Sequence, residues 1–201
     1  PPFAWCIGRP CVASRGTFLM VVGPSGAGKD TLLEGFRAGL GSAAASSFEF
    51  ARREITRPEH AGGEAHEAVG VEAFKERRRL GTYLLAWDAH GLSYAIPRHY
   101  ERFLAQGTHV VANVSRAVIP AARDLLQPCG VILVTASEAT LAQRLRARGR
   151  EEERDLAARL ARARAFAVSG PDVVSVYNDG TLGEGVVAFR RAVARLTGVP
   201  L

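Results

Sequence analysis

Apolar residues along this chain gather in short unbroken runs, and each run gives way to a stretch with helical spacing. The run TFLMVVG at residues 17–23 is nearly continuous, the pattern of a strand buried on both faces. Helical spacing follows over residues 29–40. The same rhythm returns at 109–115 before 117–127, at 131–136 before 138–148, and at 173–177 before 182–196. Residues 47–54 are a weaker fifth strand candidate. Alternation of this kind predicts parallel strands joined by helical crossovers, and so a three-layer α/β fold around a central parallel sheet.

Two stretches break the rhythm. Residues 55–100 are polar and punctuated by glycine, with strand-like pieces at 83–87 and 92–96. They are expected to form an insertion folded over the sheet. GREEERD at 149–155 is a charged turn between two arginine-rich segments and reads as a mobile flap within a lid region, 144–164. Residues 1–15 carry proline, glycine and two cysteines. They lack the long apolar stretch and the small-residue cleavage pattern of a signal peptide, and read as a loose leader before a single domain over 16–201.

Composition narrows the function only a little. The net charge is +6, and apart from Lys29 and Lys75 every one of the 26 basic residues is arginine. Genome bias, a nucleic-acid surface, or arginine forks gripping phosphate oxygens all fit, and composition leaves the three open. No apolar run reaches the roughly 18 residues that a membrane span needs. Cys6, Cys11 and Cys129 are odd in number and lack metal-ligand spacing, which suits a reducing cytoplasm better than a disulfide scaffold or a zinc site.

The sharpest chemical signal is Gly23-Pro24-Ser25-Gly26-Ala27-Gly28-Lys29, placed between a buried strand and a helix. The glycines permit backbone angles that turn successive N–H groups around an anion. The helix start adds its positive dipole end, and Lys29 can reach the outer phosphates of ATP. A P-loop normally continues with Ser or Thr as a Mg²⁺ ligand. Here Asp30 takes that place and Thr31 follows. A carboxylate is also a hard oxygen donor, which makes Asp30 the candidate metal ligand.

Beyond this cradle, the chain resembles the guanylate kinase group of nucleoside monophosphate kinases. Ile55-Thr56-Arg57-Pro58 with Gly63-Glu64, then His90-Gly91 with Tyr94 and Pro97, resemble that group's acceptor-phosphate segments. Arg144 to Gly149, with Ala158-Arg159-Leu160, resembles its lid, and Asn178-Asp179 its closing motif. Leu85 and Ile96 stand where guanylate kinases hold base-reading polar groups, and a site that loses such partners loses orders of magnitude on a polar base. That group's next strand carries an aspartate in an ExD motif, whereas here the strand reads Val111-Ala112-Asn113-Val114-Ser115-Arg116. GPSGAGKD, REITR, HGLSYAIP, NVSRAVIP and RGRE are together more similar to the ribose 1,5-bisphosphate phosphokinase family. That resemblance implies phosphorylation of ribose 1,5-bisphosphate by ATP in phosphonate breakdown, giving 5-phosphoribosyl 1-diphosphate.

Such an acceptor attacks through a phosphate oxygen already largely ionised at neutral pH. Positioning and charge neutralisation then remain, and no strong general base is needed. The resemblance assigns Lys29, Arg148 and Arg159, with Arg144 beside them, to the transferring phosphoryl group. Arg53, Arg57, Tyr94 and Arg116 are the acceptor candidates. Eight arginines lie between 144 and 164, so most of them must be solvated surface. Tyr83, Trp87 and Phe103 read as core, and His90 as a loop residue. The competing readings are a guanylate kinase and a non-catalytic interaction module.

Overall fold

A computed structural model describes residues 15–58, 65–147 and 168–201. Five strands form one parallel sheet: β1 (Phe18–Val22), β2 (Phe48–Phe50), β7 (His109–Asn113), β8 (Cys129–Thr135) and β9 (Val173–Tyr177), in the order β2-β7-β1-β8-β9. The central strand β1 is buried along its whole length. Successive side chains of a strand point to opposite faces, so β1 serves two cores. Leu19 and Val21 meet Leu32 and Phe36 of α1 (Lys29–Ala38) and Phe189 and Val193 of α7 (Leu182–Thr197). Phe18, Met20 and Val22 pack with Leu104 of α4 (Tyr100–Ala105) and with Ile119 and Ala122 of α5 (Ile119–Leu125). Each of the larger of these side chains contributes about 1.5–3 kcal/mol.

That second core extends into another sheet. β3 (Glu54–Ile55), β4 (Glu67–Ala68), β5 (Tyr83–Ala89) and β6 (Leu92–Pro97) lie in the order β4-β3-β6-β5. Their Leu84, Leu85, Trp87 and Ile96 belong to the same buried cluster as Met20 and Val114. A two-residue turn joins β5 to β6. Its residues His90 (φ 53) and Gly91 (φ 73) both take positive φ, as a type I′ hairpin turn requires. α3 (Val71–Arg79) covers the sheet's other side through Phe74, whose ring lies 4.8 Å from that of Tyr83.

The rhythm read from the sequence appears with shifted edges. The helix expected at 117–127 opens as a 3₁₀ turn at Arg116–Val118 before α5. The strand expected over 47–54 is divided: Phe48–Phe50 pairs with β7, while Glu54–Ile55 pairs with β6. Glu54 is buried with its carboxylate accepting from Tyr83 Oη at 2.7 Å and Arg77 Nη1 at 2.8 Å, which draws this end of the segment into the second sheet. Tyr83 and Trp87 are core residues and Phe103 packs at the core's edge. α3 was hidden in the polar stretch because Phe74 is its one buried residue. Residues 1–14, the flap at 149–155, Gly63 and Glu64 fall outside the described residues.

Candidate active site

The loop from Gly23 to Gly28 leaves β1 and turns into α1. Gly23 sits against β8: a Cβ there would come 2.0 Å from the Val134 carbonyl oxygen. Gly28 caps α1 with φ 87 and gives no side-chain hydrogen bond, so the first N–H groups of the helix remain available to an anion. Lys29 curls back over the loop, its Nζ donating to the carbonyls of Gly23 at 2.9 Å and Pro24 at 3.1 Å. The far side of the loop is tied to the residue just after β9, buried Asn178, which donates Nδ2–H to the Ala27 carbonyl at 2.8 Å. Asp179, the next residue, accepts from the Ser137 amide at 2.8 Å. That bond, with further ones from Thr140 and the Ser137 side chain, holds its carboxyl below the usual aspartate range.

Arg144 reaches the same loop from α6 (Glu138–Ala147). Its Nη1 is buried, has no hydrogen-bond partner, and lies 3.8 Å from where a Cβ on Gly28 would stand. An unsatisfied guanidinium donor costs about 1–3 kcal/mol or more, and a phosphate seated in the cradle would supply its missing acceptor. Arg148 and Arg159 lie outside the described residues.

On the other side, β7 ends beside the cradle, because Asn113 pairs in register with Val21. Asn113 donates Nδ2–H to Asp30 Oδ1 at 2.6 Å and so aims that exposed carboxylate. No cluster of three or more His, Cys, Asp or Glu residues able to hold a metal occurs among the described residues. Mg²⁺ nevertheless suits the site, since it commonly takes one or two carboxylates and completes its shell with water and substrate phosphates. Asp30 is the carboxylate that would serve in such an arrangement, with Thr31 next to it in the chain.

Three of the acceptor candidates, Arg53, Arg57 and Tyr94, lie near one another at the second sheet. Tyr94 stacks on its cross-strand partner Trp87 with ring centres 5.5 Å apart and planes 7° from parallel. The Arg53 guanidinium lies over the Tyr94 ring at 5.5 Å. Burial lowers the Arg53 pKa to about 10, with the Asp30 carboxylate acting in the opposite sense. Arg53 is therefore a cation set between the second sheet and the cradle. Arg57 repels it weakly from nearby, and the Arg57 Nε is buried without a partner. Arg116 begins the 3₁₀ turn three residues beyond Asn113, and burial lowers its pKa as well. Leu85 and Ile96 face each other across β5 and β6 and are wholly committed to the core.

Three contributors escaped the sequence reading. Asn178 and Asn113 act through bonds spanning 151 and 83 residues. His66 is buried with its imidazole on Arg57. Only the family motifs that contain Asn178 and Asn113 gave any hint of them.

No family model matches the chain. Among curated proteins, the ribose 1,5-bisphosphate phosphokinase of Brucella melitensis is 41% identical over 87% of this chain and 90% of its own length. The chain belongs to the ribose 1,5-bisphosphate phosphokinase family. The phosphokinase of Rhizobium etli is 41% identical over 93% of this chain and 92% of its own. A bifunctional ribose 1,5-bisphosphokinase-thymidine phosphorylase of Cupriavidus pinatubonensis is 48% identical over 89% of this chain. The chain spans only 29% of that relative's length. Among solved structures, a guanylate kinase from Anaplasma phagocytophilum aligns with a TM-score of 0.62 at 17% identity, covering 92% of this chain and 88% of its own. A gluconokinase from Sinorhizobium meliloti follows at 0.51 and 20%, covering 92% and 95%. At those identities they speak for the fold alone. The chain thus has a three-layer P-loop fold, and no helix among the described residues is long and apolar enough to cross a membrane.

Proposed function

We propose that this chain transfers the γ-phosphoryl group of ATP to ribose 1,5-bisphosphate, forming 5-phosphoribosyl 1-diphosphate and ADP during phosphonate breakdown. The observation that carries the reading is the 41% identity to family members along nearly their whole length. An oxygen of the acceptor's 1-phosphate attacks the γ-phosphorus, and the bond from that phosphorus to the β,γ-bridging oxygen breaks. The nucleophile is already ionised, which agrees with the cations and amides that the described residues of the site offer. Mg²⁺, when bound, neutralises charge across the β- and γ-phosphates.

The chain's own residues take the remaining tasks. The loop amides and Lys29 grip the ATP tail, and Asn178 keeps the loop in shape from behind. Asp30 serves the metal and is aimed by Asn113. Arg144, with Arg148 and Arg159, meets the γ-phosphate. Arg53 bridges the two substrates, while Arg57, Tyr94 and Arg116 hold the acceptor. A donor of this kind suits the cytoplasm.

Leu85 and Ile96 weigh against the guanylate kinase alternative, since neither can hydrogen-bond a base edge and both are packed in the core. The retained Lys29 and Arg144 weigh against a purely scaffolding role. The deciding experiment supplies purified protein and MgATP with ribose 1,5-bisphosphate or with GMP, and follows ADP release. The sugar bisphosphate should be turned over far faster. Faster turnover of GMP would transfer the assignment to guanylate kinase, and no turnover of either would leave the interaction module.

A further inference from the structure

Residue 66 is one of five histidines in the chain, and it is only 2% exposed. Both nitrogens of its ring contact Arg57. Nδ1 lies 3.2 Å from Arg57 Nη2, and Nε2 lies 3.2 Å from the Arg57 carbonyl oxygen. A guanidinium can only donate and a carbonyl can only accept, so the ring must carry its proton on Nε2 and accept at Nδ1. The backbone is fixed at the same place. Arg52 Nη2 donates to the His66 carbonyl at 2.8 Å, and the Glu67 amide donates to the Arg53 carbonyl at 2.8 Å.

We infer that His66 is a positioning residue that clamps Arg57 by head and backbone and so sets its guanidinium toward the acceptor's phosphate. The inference rests on the acceptor-site reading of Arg57 given above. Nη2 has a second hydrogen, and Nε–H is buried with no partner, so the clamped guanidinium still offers two donors to an anion. A phosphate oxygen pair matches such a fork. An arginine side chain otherwise loses considerable rotamer entropy when it orders, and the clamp meets that cost before the acceptor arrives, which is preorganisation.

Two substitutions separate the halves of the clamp. His66→Asn can place a carbonyl oxygen where Nδ1 stands and keep the hold on the guanidinium. His66→Gln reaches the place of Nε2 and keeps only the bond to the Arg57 carbonyl. The KM for ribose 1,5-bisphosphate should rise about tenfold or more in His66→Gln and stay within about threefold in His66→Asn, the range set by one charge-assisted hydrogen bond. The KM for ATP should not move in either variant. Equal rises, or a larger rise in His66→Asn, would overturn the clamp. In an Arg57→Ala background the difference between the two should vanish, and its persistence would also overturn it. Nitrogen NMR of labelled histidine tests the same idea without any acceptor: His66 should be protonated at Nε2, and its Nδ1 signal should shift in Arg57→Ala. A ring protonated at Nδ1 would overturn the clamp even if the kinase reading stands, so the two failures are told apart.

Discussion

Asp30 carries the chain's clearest departure from the usual P-loop, and its neighbour explains how the departure works. A carboxylate beside a triphosphate repels it unless a cation lies between them. Asn113 answers by holding one oxygen of Asp30 through a 2.6 Å bond, which directs the group without neutralising it. The pair should therefore behave as one unit toward the metal. Asp30→Ala is expected to raise the Mg²⁺ concentration at half-maximal rate severalfold and to slow turnover. Asn113→Ala should shift the same midpoint in the same direction by less. The double variant should resemble Asp30→Ala alone, since residues that act together are not additive. Magnesium titration of the rate, paired with Mn²⁺ binding read by electron paramagnetic resonance, measures this. Independent, additive shifts would mean that Asn113 does not act through Asp30.

At the level of elements, the cradle depends on the strand farthest from it in sequence. β9 ends at Tyr177, and the next residue, Asn178, is buried with its amide on the Ala27 carbonyl. Its side-chain oxygen also lies 2.7 Å from where a Cβ on Gly185 would stand, so α7 can approach only because that position is glycine. Asn178→Ala removes a hydrogen bond and leaves a buried carbonyl unpaired, a cost of about 1–3 kcal/mol. Thermal or denaturant unfolding should register that loss. The KM for ATP should rise while the KM for the acceptor stays put, because the acceptor candidates Arg53, Arg57 and Tyr94 hang on the second sheet. Equal effects on both substrates would show that the two halves of the site are coupled more tightly than these contacts indicate.

Across the whole molecule, two sheets share one buried cluster, and the site lies where the carboxyl ends of the parallel strands meet the second sheet. This is the edge at which open α/β sheets bind ligands. Binding to the native state alone stabilises it by mass action, about 2.7 kcal/mol at a ligand concentration of 100 times Kd. MgATP should accordingly raise the melting temperature, and ATP in excess chelator should raise it much less. An equal shift under both conditions would separate nucleotide binding from the metal and leave Asp30 without its assigned task.

The alternation of buried strands and helices that builds the parallel sheet, and the glycine loop between β1 and α1, were legible in the sequence because each rests on local chemistry. Strand burial shows as an apolar run, a phosphate loop as glycine before lysine, and a crossover as alternation. The family was legible from short motifs for the same reason, since each holds its residues close together along the chain. What the sequence left undecided are pairings between distant residues. Asn178 with Ala27, Asn113 with Asp30, Arg53 over Tyr94, and the split of 47–54 between two sheets all depend on which elements come to lie side by side. A hydrogen bond closes within about 3 Å, and no periodicity along the chain records which partner will stand at that distance. Only the packing of β7 and β9 into the sheet around β1, and of the second sheet over it, decided that.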